Sequence, residues 1–437
     1  MCCRTLCGSV LFTQGGHLSG VLPSPAGIPI EPRERIKVVD VLRGLALFGI
    51  LVVNMDLFSQ PTLYVSSLGA PAGIADRFID LWITFFARGR FYSLFSLLFG
   101  MGLALQMLRL EARGVRFLPL YSRRLLVLLG FGAVHSLFIW HGDILVTYAV
   151  LGALLLPFRK KSTRTLLIWA AAMFIVPILY SGATRGIGEL QGRESDWGRE
   201  RIASEASAPP QEEAMAREAV RRYSSGTFGE IMAQRLEDLK REYQPDTLRS
   251  TLPQIFMMFL LGLAIGRSGM LEEVERHLRI VRVAFALGAV SGLLELAILL
   301  GWLLPDRPMS PFLDAAWGGI HQVNRTMLCI FYVSTVLLLF RQDAWARILS
   351  VFSAPGKMAL TNYLMQSIVC TTLFYSYGLG LYGKVAGAEG FVFSCIIFLA
   401  ELVLSNIWLK HFRFGPAEWL WRTLTYGKRQ RFLIPAA

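Results

Sequence analysis

The sequence predicts an all-α fold, a polytopic transmembrane helical bundle of about ten spans with both termini cytoplasmic. Two observations carry this expectation. Of 437 residues, 54% are hydrophobic and 17% charged, and apolar runs long enough to cross a bilayer recur along most of the chain. The Lys and Arg residues behind the formal charge of +13 gather in short stretches between those runs, as cytoplasmic loops do. In a soluble protein that charge would point to nucleic acid. Here it sets topology, so the expected partner is the lipid bilayer, no nucleic acid is expected, and the expected location is the inner (cytoplasmic) membrane.

Residues 1–35 hold Gly, Pro and Ser with one weak apolar patch and no apolar core leading to a small-residue cleavage site, so they read as a disordered cytoplasmic tail. An N-terminal membrane region over 36–184 follows, with about five spans. Its first span, 38–58, carries Asp40 and Arg43 one helical turn apart and able to pair, and Asn54 and Asp56 near its far end. Asn54 lies about 16 Å beyond Arg43 at the helical rise. A rim segment at 76–86 leads to the second span, 91–108, and then to a loop rich in Arg that includes Arg123 and Arg124. The third span, 125–140, and the fourth, 143–158, are joined only by His141 and Gly142, with Asp143 placed to cap the fourth. The fifth covers 165–181.

Residues 185–250 break the membrane pattern. Glu and Arg alternate there at helical spacings with nearly balanced charge, which predicts an external, partly helical segment. A C-terminal membrane region over 251–427 supplies five more spans, at 252–265, 281–304, 324–340, 358–375 and 390–409, before a basic tail at 428–437.

The chain contains no P-loop, GxSxG, HExxH or CxxC pattern, and its six cysteines show no metal-site spacing, so any chemistry must come from scattered polar groups at membrane depth. These fall into two sets. The outer set centres on His135, an imidazole inside the third span and a candidate general base that Asp143 could orient across the tight turn. A buried histidine is also a common helix-to-helix hydrogen-bonding group. The inner set is Asp40, Arg43, Arg123, Arg124, Lys357, Thr361, Asn362, Gln366 and Glu418, whose cations on one face could hold a phosphate-bearing cofactor.

Longer motifs carry a family resemblance. Asp40-Val-Leu-Arg43-Gly44, Phe95-Ser-Leu-Leu-Phe-Gly100-Met-Gly102, Trp140-His141-Gly142-Asp143, Gly356-Lys357-Met-Ala-Leu360-Thr361-Asn362-Tyr363-Leu-Met-Gln366-Ser367 and Gly415-Pro416-Ala-Glu418-Trp419 together resemble the YeiB-like family of bacterial integral membrane proteins. More remotely, the first span is similar to that of membrane acyltransferases such as the O-antigen acetylases and heparan-α-glucosaminide N-acetyltransferase. The acetylases place a catalytic His at the far rim of the first helix after an Arg near its start. Here Arg43 matches the Arg, but Asn54 stands where the His would be. The heparan enzyme is similar in having a functional Asn there and its His elsewhere, which makes His135 or His141 the substitute. The resemblance implies acyl-CoA as donor at the inner set and an envelope carbohydrate, lipid or small amine as acceptor; with His135 as the base, the Asn54 amide is placed to donate to the developing oxyanion. The rival expectation is a transporter or efflux permease using the same intramembrane charges.

Overall fold

The computed structural model describes residues 36–65, 73–190, 210–300, 311–385 and 387–434; the expected N-terminal tail lies outside them. It is all-α. Among the described residues, eight helical stretches are long and apolar enough to cross a membrane: Lys37–Ser59, Ile74–Ala112, Phe117–Ile139, Thr163–Tyr180, Thr247–Arg267, Leu278–Leu299, Gly319–Leu339 and Gly387–His411.

The first is helix α1 (Lys37–Ser59), the most deeply enclosed of the eight. The second is bent. Its two parts, α2 (Ile74–Phe86) and α3 (Arg90–Ala112), join at Gly89, whose φ of 81° is a left-handed conformation that glycine adopts without a Cβ penalty. The third is α4 (Phe117–Val134) extended by a π-helical turn, His135–Ile139. Two of the ten expected spans fall short of bilayer length. Helix α5 (Leu145–Leu155) has 11 residues, because the chain between Trp140 and Asp143 leaves the helical path, and the later helix at 359–374 has 16.

Irregular backbone at membrane depth is tolerated only where protein or a cavity encloses it. Trp140, His141 and Asp143 are all buried. The break is therefore a built feature of the bundle interior, and a π-turn beside it is a frequent companion of functional sites.

Helix α6 (Thr163–Leu190) leads towards the charged segment, whose described part is an antiparallel pair, α7 (Pro210–Ser225) and α8 (Phe228–Glu242). Thr227 and Glu230 form a reciprocal capping box that starts α8. The pair is docked on the bundle. Asp238 accepts from the hydroxyls of Tyr64 and Tyr223 at 2.6 Å each, the Tyr223 ring stacks on Tyr375 at 4.3 Å, and Ser376 N–H donates to the Tyr223 carbonyl. These contacts make the segment a lid over one end of the helices, called the cap end below.

Helix α9 (Pro245–Arg267) returns into the bundle and packs along α3. There Gly262 and Gly266 of α9 face Leu97, Met101 and Ala104, while Gly100 of α3 faces Phe259 and Leu263. The missing Cβ atoms let the two backbones touch, the small-residue packing expected between membrane helices. Helices α10 (Leu278–Leu299) and α11 (Pro311–Leu339) pair with each other. A buried network bolts them to α3: Arg90 Nη2 donates to Glu295 at 3.2 Å, and Glu295 also accepts from Asn324 at 2.6 Å.

Short helices α12 (Asp343–Leu349) and α13 (Ser353–Lys357) lead to α14 (Ala359–Phe374), α15 (Gly387–His411) and α16 (Pro416–Tyr426). Following the chain direction of each helix, Arg109, Arg159, Lys160, Arg267, Arg341 and Lys410 all fall at the end opposite the cap, which is the basic end.

Candidate functional site

At the basic end, a cavity of about 260 Å³ opens between α1, α3, α4, α14 and α16. Its wall carries the cations Arg43, Arg109, Arg124, Lys357 and Arg422 and the carboxylates Asp40 and Glu418. Arg43 Nη1 donates to Asp40 Oδ1 at 3.1 Å, which orients the guanidinium. Its Nη2 lies against Gly102, where a Cβ would be in ordinary contact at 3.5 Å. Arg124 lies over the Trp421 ring at 3.8 Å, and Trp421 Nε1–H donates to the Arg124 carbonyl. Glu418 is occupied with architecture. It accepts from the backbone N–H groups of Leu360 and Thr361 at 2.6 and 3.1 Å and from the Thr361 hydroxyl, satisfying free donors at the start of α14. Arg123 does not join this set: it is exposed and lies against Gly427.

A second cavity of about 190 Å³ lies towards the cap, lined by Asn54, Tyr92, Trp140, Asp143, Glu242 and Tyr243 among others. Among the described residues, its lining includes two carboxylates and no Lys, Arg or His. Ile50, Ile144 and Tyr363 line both cavities, so the two meet at these three side chains.

His135 sits beside this partition, fully buried, with its ring 5.0 Å from that of Tyr363. Nδ1 is 2.9 Å from Asp143 Oδ1, and Nε2 is 2.8 Å from Ser367 Oγ on α14. Asp143 is itself fixed, because Oδ2 accepts the Val146 N–H at 2.7 Å at the start of α5. The structure thus joins His135 and Asp143 as expected and puts Asn54 on the same cavity as Asp143. It separates His141, which lines neither cavity and faces the cap, with Nδ1 3.7 Å from Asp238 Oδ2.

Comparison with known proteins adds kinship to this geometry. The protein family of unknown function DUF418 matches residues 265–428. The uncharacterized protein YxaH of Bacillus subtilis is 38% identical over 91% of this chain and 96% of its own length. The uncharacterized protein YeiB of Escherichia coli is 33% identical over 90% of this chain and 96% of its own. The chain belongs to the YeiB-like family. An uncharacterized 39.9 kDa protein encoded in the amylase 3' region of Bacillus acidopullulyticus is also similar, 29% identical over 93% of this chain and 98% of its own.

In this YeiB-like protein, the sequence alone marks none of Ser367, Glu242, Glu295 and Glu401 as a site residue, although Ser367 closes the motif that starts at Gly356. The last two had a visible signal, a carboxylate inside an apolar run, and both are paired: Glu295 with Arg90, and Glu401 with the Gln366 amide at 2.8 Å. Glu242 had none, because it lies in a segment where acidic residues are common. Burial, and next the neighbouring Asp143 and Asp238 carboxylates, push its pKa from 4.5 up to about 7.

The sign of the consequence follows from proton counts. Between pH 4.5 and about 7 the folded protein keeps a proton that the unfolded chain has released, so this group lowers stability as pH rises through that window. Glu242→Gln should therefore have a thermal midpoint close to wild type near pH 4.5 and a higher one above pH 7. The gap corresponds to an order of 3 kcal/mol, at about 1.4 kcal/mol per pH unit. A difference between the two proteins that stays constant with pH would show that Glu242 is solvated.

Proposed function

We propose that this YeiB-like protein is an acyltransferase of the cytoplasmic membrane. It takes an acyl group from acyl-CoA at the basic end and delivers it to a carbohydrate, lipid or small-amine acceptor at the cap end. The single observation that carries the reading is the meeting of the two cavities at Ile50, Ile144 and Tyr363, with the His135–Asp143 pair beside the meeting point. On this reading the excess of cations marks the basic end as the cytoplasmic one and the cap as external, in keeping with the positive-inside rule.

The cations suit the phosphates of the donor, with Arg43 pre-oriented by Asp40. A pantetheine arm would then run along the apolar wall formed by Phe95, Leu98, Phe99 and Leu103 towards Tyr363, bringing its thioester to the partition. On the other side, a lining whose described charged groups are the Asp143 and Glu242 carboxylates disfavours anionic acceptors and suits hydroxyl or amine groups. His135, held by Asp143, supplies the base that such a transfer needs, and Asn54 offers an amide to the developing oxyanion.

The test is donor binding to the purified full-length protein. Arg43→Ala should weaken acetyl-CoA by about 10- to 100-fold, the value of losing one or two charge-assisted hydrogen bonds. Arg43→Lys should recover only part of that, because the planar fork is lost. Unchanged affinity in both variants would remove the donor site from the basic cavity.

A second reading, transport, is favoured by the same partition, since two vestibules either side of a gate also serve alternating access. Proteoliposomes separate the two. Acyl transfer releases free CoA thiol on the donor side in proportion to acylated acceptor, whereas transport moves an unmodified solute and releases none.

A further inference from the structure

Both nitrogens of His135 are engaged. A general base must sit against the proton it removes, within hydrogen-bond reach. At Nδ1 the partner is Asp143, and at Nε2, 2.8 Å away, it is the protein's own Ser367 hydroxyl. An acceptor arriving from the cap-side cavity finds that position already filled.

The tautomer that suits base catalysis has its hydrogen on Nδ1, donated to Asp143 Oδ1, which leaves the Nε2 lone pair facing the Ser367 hydroxyl. Nucleophile, base and orienting carboxylate are thus in line, an arrangement recognised by geometry and roles and not by sequence order. Ser367 Oγ is also 3.3 Å from the Tyr363 carbonyl, the longer back-bond common to helix serines. Ser367 and His135 are buried, yet Asp143 lines the cap-side cavity, and Tyr363, one turn before Ser367, lines both. The serine therefore lies immediately behind the partition across which the acyl group has to pass.

We propose that Ser367 is the nucleophile of a two-step transfer, carrying the acyl group as an ester between the basic and the cap-side cavity. The inference rests on the acyl-transfer reading above. In the first step Oγ attacks the thioester carbonyl carbon of the donor while its proton passes to His135 Nε2. The C–S bond then breaks, the leaving thiolate takes that proton, and free CoA thiol departs from acyl-Ser367. In the second step an acceptor O–H or N–H attacks the ester carbon, giving its proton to His135. The C–Oγ bond breaks and Ser367 recovers the proton. No oxidant, reductant or further reactant enters. Tyr363, whose hydroxyl donates to the Gly142 carbonyl at 3.3 Å, has to turn aside for the carbonyl to reach Ser367.

Two probes on the full-length protein in nanodiscs test this. A small fluorophosphonate reads the nucleophilicity of Ser367 without any donor. It should label wild type at Ser367, fail on Ser367→Ala, and react about 10²–10⁴-fold more slowly with His135→Gln. Radiolabelled acetyl-CoA without acceptor should leave an alkali-labile label on the same residue, and an added amine or polyol should discharge it. Ser367→Cys, which keeps a nucleophile in place, should retain thioester exchange and guards against a folding artefact in Ser367→Ala.

A wild type that releases CoA thiol while Ser367→Ala matches its rate overturns the acyl-serine and leaves the acyl-transfer reading standing. The absence of fluorophosphonate labelling in a wild type that turns over does the same. Labelling of Ser367 by the fluorophosphonate with no thiol released from any acyl-CoA supports the nucleophile and sinks the donor instead.

Discussion

Gly262→Ala and Gly130→Ala are expected to shift stability in opposite directions, although both place the same methyl group on a membrane helix. A Cβ at Gly262 would fall inside the Leu97 carbonyl oxygen and 2.9 Å from the Met101 backbone nitrogen. Neither atom is the end of a flexible side chain, so α3 and α9 have to move apart, and these two helices form the most extensive helix pair among the described residues. Overpacking of this kind costs about 1–3 kcal/mol where side chains can adjust, and a backbone contact belongs at or beyond the upper figure. Gly130 on α4 meets nothing within 4 Å, so alanine there removes only the conformational cost of glycine in a helix and should stabilise by about 0.5–1 kcal/mol. Thermal unfolding in detergent, read by loss of the monodisperse peak on size exclusion, decides the matter. A Gly262→Ala protein as stable as wild type would mean that α3 and α9 are not in backbone contact.

The same helices show what was legible beforehand. Membrane spans are written in local composition, which is why the all-α bundle and most of its helices could be placed from hydropathy and from the positions of Lys and Arg. The exceptions are α5 and α14, which fall short of the lengths expected for them. Asp143 does cap the fourth span, through Oδ2 to the Val146 N–H, but it also holds His135, so the break expected at His141 and Gly142 runs on to Ile144 and α5 starts only at Leu145. The His135–Asp143 pair was within reach because its partners are eight residues apart. Ser367 was not, since its partner lies 232 residues away and a serine in an apolar helix usually bonds only its own preceding turn. Arg90 and Glu295, separated by 205 residues, pose the same problem. Cationic loops misled in one place: Arg123 and Arg124 are adjacent in sequence, but a helix turns by about 100° per residue, so only Arg124 reaches the cavity.

His135→Gln is expected to lower acyl transfer by about 10²–10⁴-fold while leaving acetyl-CoA affinity within a factor of two or so, because the base acts on a proton and the basic cavity holds the donor. Glutamine can keep a hydrogen bond to Asp143 or to Ser367, so the packing of α4, α5 and α14 survives and the loss is chemical. Asp143→Asn should fall in the same range by a different route. An amide can donate to Nδ1, which moves the imidazole hydrogen to Nε2 and points it at Ser367, the wrong tautomer for accepting a proton. Because the two residues act as one unit, the double variant should lose little more than either single one. If the double variant instead loses the product of the two single effects, His135 and Asp143 work independently. Should His135→Gln keep full turnover in reconstituted membranes, the imidazole is a buried bridge between α4 and α14, and the base for this transfer has to be sought among the other groups lining the cap-side cavity, where Glu242 is the one held near neutral pKa.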